Sequence, residues 1–261
     1  MRFEGKVVAI TGAAGGVGLS LCRYFIDEGA KVGAIDKKAS VETLGAELAA
    51  PAKAFFSAVA DISETTQVDR AFASLTDALG PVDVLVNNAG GSAYRTFKRT
   101  DPAGWRHDID SNLNSAYYCA RAVIPGMKAK RSGVIIGIGS VNGLSALGDP
   151  AYSAAKAAMI SLTRSLAQEY GPYGIRANIV LPGTVRTPLW EARAAKNPEV
   201  LETLRRWYPL GRIVEPVDIA RAVGFLASDA ASAITGVALP VDCGLTSGNI
   251  VMRGELTLED L

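Results

Sequence analysis

The stretch that decides the fold is residues 6–36, which read KVVAITGAAGGVGLSLCRYFIDEGAKVGAID. Its two ends, Lys6–Thr11 and Lys31–Asp36, are short apolar runs, and a run that is apolar throughout predicts a strand buried on both faces. Between them, Gly16–Gly29 has the spacing of a helix that ends at its last glycine. Two strands joined by a helix need a crossover connection and therefore pair in parallel.

A glycine-rich turn joins the first predicted strand to the first helix. Glycine allows a tight turn and a close approach of the backbone to a pyrophosphate, and the helix N-terminus then presents free N–H groups to the phosphates. The strand before and the helix after are the context that this motif requires, although an ordinary strand-to-helix turn also uses glycine. The candidate cofactor-binding residues in this turn are Gly12, Gly15, Gly16, Val17 and Gly18.

Asp36, at the end of the second predicted strand, bears on the choice of cofactor. A carboxylate at this position hydrogen-bonds the adenosine ribose and repels a 2′-phosphate, which favours NAD over NADP. Gly15 leaves no basic residue in the turn to hold such a phosphate, whereas Lys37 and Lys38 soften the preference. The alternative is that Asp36 is only a strand-end turn residue.

The alternation of strand and helix continues to about residue 244. Further strands are predicted at Lys53–Val59, Val82–Asn87, Gly133–Gly139, Ile175–Leu181 and Ala238–Val241, and further helices at Val41–Ala50, Glu64–Leu79, Asp101–Arg131, Pro150–Tyr170, Pro188–Trp207 and Pro216–Ala227. This pattern predicts an α/β protein with a Rossmann-like, doubly wound parallel sheet in three α/β/α layers. We expect a single domain over residues 1–244 and a C-terminal tail over 245–261.

Composition excludes several classes of protein. The 261 residues are 49% hydrophobic, which is enough for a large core, and Lys+Arg 27 against Asp+Glu 26 gives a net charge of +1. That balance provides no overall field to attract nucleic acid or an anionic membrane. One histidine and three widely spaced cysteines exclude a multi-histidine or Cys-x-x-Cys metal site, so no metal is expected. No N-terminal segment fits a signal peptide or a membrane span, and we expect a soluble, cytoplasmic protein.

A tyrosine and a lysine indicate acid/base chemistry. Tyr152 and Lys156 lie on one helix face, because residues four apart share a face, and a nearby cation lowers the pKa of a phenol. Ser140 ends the fifth strand at the sheet edge where ligands bind in such folds. Alone, a Tyr-x-x-x-Lys spacing is a common coincidence on helices, and Ser140 is alternatively a strand-end turn residue.

These features together resemble the single-domain short-chain dehydrogenase/reductase family over roughly residues 5–244. The matching motifs are T-G-x-x-x-G-x-G at 11–18, Asp61, Asn87-Asn88-Ala89-Gly90, Asn112, Ser140, Tyr152-x-x-x-Lys156 and Pro182-Gly183-x-Val185-x-Thr187. One departure is Cys243, which stands where the family usually has glycine. We interpret it as a small buried thiol without a basic neighbour to activate it.

The resemblance implies four catalytic residues. Tyr152 would move the proton to or from the substrate oxygen, and Ser140 would orient that oxygen by a hydrogen bond. Lys156 would hold the nicotinamide ribose and lower the pKa of Tyr152. Asn112 would hold a water that links Lys156 to solvent; alternatively it is a helix cap or kink residue, with Asn114 as a nearby competitor.

The resemblance also implies how the rest of a nicotinamide dinucleotide is bound. Asp61, followed by Ile62, would contact the adenine amine. Residues of the loop after the fourth strand would line the adenosine side, namely Asn88, Ala89 and Gly90. The alternative for Asn88 is that it ties neighbouring strands together. The loop after the sixth strand would fix the nicotinamide carboxamide through Pro182, Gly183, Val185 and Thr187.

Loops that follow the fourth, fifth and sixth strands would contact the substrate. Asn142, Trp190 and Arg193 join Ser140 and Tyr152 as candidate substrate residues, because aromatic, polar and basic groups together suit a small hydroxylated ring or polyol, with or without an acidic group. The alternative is that the tryptophan only packs helices of a mobile lid together.

Two functional classes follow from these residues. The first is an NAD-dependent oxidoreductase that interconverts a secondary alcohol and a ketone, with NADPH-dependent reduction of a 3-oxoacyl carrier protein as an enzymatic alternative. The second is a catalytically idle dinucleotide-binding regulatory protein, against which the complete set Asn112, Ser140, Tyr152 and Lys156 argues.

The resemblance further implies a homotetramer in which the helices Asn112–Arg131 and Tyr152–Tyr170 pair between subunits. The second of these helices is apolar on more than one side, which independently suggests that two of its faces are covered. Alternatively, a tail or loop of the same chain covers it. The 245–261 tail is expected to pack on a neighbouring subunit through Met252, Leu256, Leu258 and Leu261.

Overall fold

A computed structural model of the protein describes residues 1–257 and has one sheet of seven parallel strands. The strands are β1 (Val7–Thr11), β2 (Lys31–Asp36), β3 (Phe55–Val59), β4 (Val84–Asn87), β5 (Gly133–Ile138), β6 (Ile175–Pro182) and β7 (Ala238–Val241). Helices cover both faces of the sheet, which confirms the predicted doubly wound α/β fold in one domain. Leu258 and Leu261, which we predicted to lie at a subunit interface, are outside the described residues.

The strand order β3-β2-β1-β4-β5-β6-β7 places β1 at the point where the winding direction reverses. From β1, the chain first builds outward through β2 and β3, and then returns to the other side of β1 to form β4. In such a sheet a crevice opens outside the carboxyl ends of the two strands that flank the reversal. The turn after β1 and the loop after β4 therefore meet at one edge.

Ten helices pack around the sheet or extend from its carboxyl edge within the described residues. Their bounds are α1 (Gly16–Asp27), α2 (Leu44–Glu47), α3 (Thr65–Leu79), α4 (Pro102–Ile109), α5 (Ser115–Lys130), α6 (Pro150–Tyr170), α7 (Pro188–Lys196), α8 (Val200–Arg205), α9 (Pro216–Ala227) and α10 (Ile250–Thr257). Helices α1 and α9 share one core with the sheet, and α3, α5 and α6 cover the opposite face. None of these helices is both long and apolar enough to cross a membrane.

The predicted helix Asp101–Arg131 differs from the structure, which has a π-type turn at Asp110–Asn114 between α4 and α5. The Asn112 side-chain amide donates hydrogen bonds to the carbonyls of Asp108 and Gly91, so one side chain joins this turn to the loop after β4. Pro125 lies inside α5.

Two other predicted helices are shorter than expected. The segment predicted over Val41–Ala50 is a 3-10 turn followed by the single turn of α2. The segment predicted over Pro188–Trp207 divides into α7 and α8 around Asn197-Pro198, because the residue before a proline is disfavoured in helical geometry. Val41, Leu44 and Leu48 of the first segment are nevertheless buried in the core beside the sheet.

Candidate active site

A cleft of about 1520 Å³ runs along the carboxyl edge of the sheet. Twenty-one of the predicted residues line it: Gly12, Gly15, Gly16, Val17, Gly18, Asp36, Asp61, Ile62, Asn88, Ala89, Gly90, Ser140, Asn142, Tyr152, Lys156, Pro182, Gly183, Val185, Thr187, Trp190 and Arg193. Asn112 is the one predicted site residue that does not line the cleft. The topology thus brings segments that are far apart in sequence to one surface.

The glycine turn fits closely under the loop after β4. Gly12 has a φ of +65°, and a Cβ on it would lie 2.7 Å from the Ala89 Cα, so no larger residue fits there without a shift. The Asn88 side-chain amide donates to the carbonyls of Thr11 and Gly12 at 2.9 and 3.1 Å. Asn88 therefore ties the two strands together, which is the structural alternative considered for it.

Thr11 is a residue of the same turn to which the sequence assigned no separate role. Its hydroxyl is fully buried and accepts hydrogen bonds from the main-chain N–H groups of Asn88 and Ala89, both at 3.1 Å. The threonine thus fixes the β4 loop against the glycine turn. The signal was the threonine that opens the T-G-x-x-x-G-x-G motif.

The N-terminus of α1 opens into the cleft without a side-chain cap. Gly15 is the N-cap residue, and no side chain accepts from the first-turn N–H groups. A Cβ on Gly16 would lie 2.9 Å from the Pro188 ring, so the start of α7 covers this end of the helix. Unpartnered first-turn amides and a positive helix end favour an anion such as a pyrophosphate.

The Asp36 carboxylate lies at the adenosine end of the cleft and is 8% exposed. It accepts hydrogen bonds from the main-chain N–H groups of Ala14 at 3.0 Å and Lys38 at 2.9 Å. Because a carboxylate offers about four acceptor positions, these two bonds fix its orientation and leave capacity for ribose hydroxyls. The residues present therefore fit a dinucleotide at both its pyrophosphate and its ribose.

Asp61 lies at the end of β3 beside this region. Its carboxylate accepts hydrogen bonds from the hydroxyl and the main-chain N–H of Ser63 at 2.6 and 3.0 Å, and these bonds hold the pKa of Asp61 below its usual range. His107 faces the same cleft, and its positive charge adds a smaller lowering of that pKa. The adenine end is therefore lined by a firmly ionised carboxylate.

Tyr152 and Ser140 face each other at the opposite end of the cleft. The Ser140 hydroxyl is held by Asn142, whose main-chain N–H donates to it at 3.2 Å and whose side-chain oxygen lies 3.3 Å away. Asn142 in turn donates to the Ser153 hydroxyl at 3.2 Å. This network fixes the serine beside the phenol.

The pKa of Tyr152 is raised in the structure, and its lowering by Lys156 stays a prediction. Burial of the phenol is the largest cause, and the Ser140 hydroxyl opposes it only in part. Lys156 is itself 2% exposed, and burial lowers the pKa of its ammonium group to about 7. Its Nζ donates to the Ile138 carbonyl at 2.8 Å and lies 5.4 Å from the centre of the Tyr152 ring.

Asn112 lies behind the cleft wall, beside the loop after β4. The residue is fully buried, its amide oxygen accepts from the Gly91 N–H at 3.2 Å, and its amide nitrogen donates to the Gly91 and Asp108 carbonyls, both at 2.8 Å. Through these bonds the Asn112 side chain positions the loop after β4. The predicted role of Asn112 in holding a water that links Lys156 to solvent stays a prediction.

Cys243 has a φ of +53°, a left-handed conformation that glycine adopts without strain. Burial raises the pKa of its thiol, and this outweighs the opposing effect of the Arg212 charge. The expectation that no basic group lies nearby is thus wrong, whereas the expectation of an inert thiol agrees with the raised pKa.

The substrate end of the cleft contains charged residues that the sequence did not group together. Asp149 has a φ of +51° and accepts two hydrogen bonds from the Arg95 guanidinium, both at 3.1 Å, and one from the Ser92 hydroxyl at 2.7 Å. On α7, the Arg193 guanidinium stacks on the Trp190 ring at 4.5 Å. Asp149 was missed; its position directly before the proline that begins α6 was the available signal.

Comparison with known proteins places this site in a broader context. A family model described as Enoyl-(Acyl carrier protein) reductase matches residues 12–246. A solved oxidoreductase of the short-chain dehydrogenase/reductase family from Burkholderia thailandensis is 49% identical, has a TM-score of 0.92 and covers 98% of each chain.

Two curated relatives are similar over nearly their whole length. An uncharacterized oxidoreductase of Schizosaccharomyces pombe is 46% identical over 95% of this chain and 94% of its own. Galactitol 2-dehydrogenase (L-tagatose-forming) of Cereibacter sphaeroides is 37% identical over 94% of this chain and 96% of its own. Together with the parallel sheet and the dinucleotide-shaped cleft, these similarities show that the chain belongs to the short-chain dehydrogenase/reductase family of oxidoreductases.

Proposed function

We propose that the protein interconverts a secondary alcohol and a ketone with NAD as the cofactor. The observation that carries this proposal is the position of Tyr152, Ser140 and Lys156 at one end of a cleft whose other end presents the glycine turn and Asp36. When bound, NAD would accept a hydride from the carbinol carbon. The chain's own groups bind and orient the reactants and move the proton.

The proton transfer is the task of Tyr152. The Ser140 hydroxyl accepts from the Asn142 main-chain N–H and would turn its own proton from the Asn142 side-chain oxygen to the substrate oxygen, which it then holds beside the phenol. The raised pKa keeps Tyr152 protonated at neutral pH, which suits the donation of a proton to a ketone oxygen. Oxidation of an alcohol needs the phenolate, and the ammonium form of Lys156 would stabilise it.

The test is the formation of reduced cofactor from a panel of secondary alcohols, with cofactor consumption measured on the corresponding ketones. Alditols belong in the panel because a relative is a galactitol 2-dehydrogenase, and we propose a small sugar- or polyol-type substrate for this chain. Turnover of at least one alcohol or ketone supports the assignment. Tight cofactor binding with no turnover of any member would favour a catalytically idle regulatory protein.

The description of the matching family model supports one alternative reaction, the reduction of an acyl chain on a carrier protein. Enoyl- or 3-oxoacyl-type reduction on a carrier protein with NADPH would need a site for the 2′-phosphate of that cofactor. The buried Asp36 carboxylate lies where that phosphate would approach and disfavours it. Higher kcat/KM for an acyl-thioester substrate with NADPH than for any polyol with NAD would establish this alternative instead.

Asp36→Ala should relax the preference for NAD. The substitution removes a charged acceptor of ribose hydrogen bonds, and bonds to charged groups contribute about 1.5–3 kcal/mol, so kcat/KM with NAD should fall roughly 10- to 100-fold. The value with NADP should stay level or rise. Kinetics with both cofactors measure this, and Asp27→Ala, an exposed residue at the end of α1, is the control of equal charge.

Asp36→Asn separates charge from shape, because its amide oxygen can still accept from one of the two main-chain groups. Asp36→Asn should also lose discrimination between NAD and NADP. Equal kcat/KM for the two cofactors in the unmodified enzyme would contradict the proposed preference.

We also propose a homotetramer, with the outer surfaces of α5 and α6 as the pairing faces. Tyr117 on α5 is 50% exposed, and the small residues Ala154 and Ala157 on α6 are exposed as well. Met252 and Leu256 on α10 are 55% and 72% exposed, which suits the proposed packing of the tail on a neighbour.

Light scattering should give the mass of four chains, and Ala157→Arg should give a smaller species, because a long charged side chain cannot be accommodated in a close helix pair. Ala52→Arg, an exposed alanine outside α5 and α6, is the control. A monomeric mass for the unmodified protein would contradict the assembly. The tail would have no part in the assembly if deletion of residues 248–261 left both the number of subunits and the KM unchanged.

A further inference from the structure

Three charged side chains meet beside the catalytic end of the cleft. Arg95 follows β4, Asp149 precedes α6, and Arg193 lies on α7, and all three line the cleft that contains Tyr152. The Arg95–Asp149 ion pair has a distance of 3.1 Å, and the side chain of Asp149 is 13% exposed. The Asp149 carboxylate therefore pairs with the Arg95 guanidinium and not with that of Arg193.

Arg193 is the second arginine of the cluster. Among residues 1–257, no carboxylate lies within ion-pair distance of its guanidinium, which is half-buried and stacked on the Trp190 ring at 4.5 Å. Burial lowers the pKa of Arg193, the neighbouring charge of Arg95 lowers it further, and the charge of Asp149 opposes this lowering. A guanidinium that is partly removed from water gains most from an anion that supplies planar, bidentate acceptors.

The location of this cluster separates it from the cofactor. Asp149 directly precedes α6, Tyr152 lies in the first turn of that helix, and Arg95 pairs with Asp149, so the cluster lies near the reacting oxygen. The anion sites of a dinucleotide are its phosphates, and these belong at the glycine turn and the start of α1. An anion bound by Arg193 would therefore be part of the substrate.

We propose that the substrate carries a carboxylate that Arg193 binds, so that the enzyme acts on a hydroxy acid or the corresponding keto acid. This rests on the proposed alcohol–ketone chemistry and narrows its polyol class to polyols that bear an acid group. Asp149 neutralises Arg95 and leaves one net positive charge in the cluster. A single carboxylate matches that charge, whereas a phosphate dianion would bring excess negative charge next to Asp149.

Matched pairs of substrates test the proposal. Secondary hydroxy acids of increasing length, from lactate to 4-hydroxypentanoate, together with gluconate, are each compared with their methyl esters, and a phosphate monoester of a diol is included. The unmodified enzyme should favour at least one acid over its ester by tenfold or more in kcat/KM. The length at which this preference is largest reports the separation between Tyr152 and Arg193.

Arg193→Gln should lower kcat/KM for that acid by roughly 10- to 100-fold and for its ester by less than threefold, because only the charged contact is lost. Arg193→Lys should retain part of the preference. Lys196→Gln removes the same charge from an exposed position on the same helix and should leave kcat/KM unchanged for both the acid and the ester. Trp190 fluorescence, titrated with butyrate and with butyramide, gives a binding readout that does not depend on turnover.

The outcomes separate the two proposals. Carboxylate recognition would be overturned if Arg193→Gln lowered kcat/KM equally for acid and ester, or if Lys196→Gln had the same effect as Arg193→Gln. It would also be overturned if the unmodified enzyme preferred the phosphate monoester, or showed no preference between acid and ester. In the last case turnover of the esters would leave the alcohol–ketone chemistry standing. Turnover of neither acids nor esters, with no fluorescence response to butyrate, would overturn carboxylate recognition, and the alditols of the first panel would then decide the alcohol–ketone chemistry.

Discussion

Tyr152→Phe should lower kcat for alcohol oxidation and for ketone reduction by about 10²- to 10⁴-fold, which is the range for removal of a general acid/base. The substitution deletes only the phenolic oxygen from a ring that remains packed beside Lys156. Cofactor affinity should therefore stay within about twofold of the unmodified protein. Steady-state kinetics and a cofactor titration by fluorescence measure the two quantities separately.

The control is Tyr117→Phe, a half-exposed tyrosine on α5 outside the cleft, which should keep full activity. Residual activity of Tyr152→Phe above a tenth of the unmodified rate would count decisively against Tyr152 as the acid/base. A parallel loss of cofactor binding would point to a collapsed cleft, which circular dichroism would reveal.

Lys156→Met should abolish activity and at the same time remove a pH-dependent contribution to stability. The pKa of Lys156 is about 7 in the folded protein and 10.5 for an ordinary lysine, so between these values the unfolded chain binds more protons than the folded one. Stability rises with pH wherever the unfolded state binds more protons. The unmodified protein should therefore gain stability relative to Lys156→Met as the pH rises from 7 to 10, by on the order of 3 kcal/mol.

Urea unfolding at several pH values measures this difference, and Lys53→Met, an exposed lysine, should show no such trend. Only the pH dependence is diagnostic, because the methionine also leaves the Ile138 carbonyl without its hydrogen bond. A stability difference that is constant with pH would show that Lys156 is not held in the partly neutral state that the structure indicates.

Much of the fold follows from local sequence patterns. The buried strands at Val7–Thr11 and Lys31–Asp36 are apolar throughout, and the helix that starts at Gly16 lies between them as predicted. Order along the chain and the need for crossovers were enough to predict parallel pairing. The π-type turn at Asp110–Asn114 was not predictable in this way, because the Asn112 side chain that bonds its two sides also reaches the loop after β4.

The candidate site could be predicted where a motif specifies local geometry. The glycine turn and the Tyr152–Lys156 pair are of this kind, and the structure brings both to the cleft. The raised pKa of Tyr152 was not of this kind, because its largest cause is the burial of the phenol by the fold as a whole. Asp149 was missed because an aspartate before a proline predicts a helix cap, whereas its side chain instead contacts Arg95 from another loop.

Transfer of deuterium tests the central claim most directly. The protein would be incubated with NAD and a secondary alcohol deuterated at the carbinol carbon, chosen from the substrates that the panel identifies, and the cofactor would be analysed by mass spectrometry. The account predicts deuterium in the reduced nicotinamide, and none when Tyr152→Phe replaces the unmodified protein. Reduced cofactor without deuterium, or bound NAD that is never reduced by any alcohol, would contradict it.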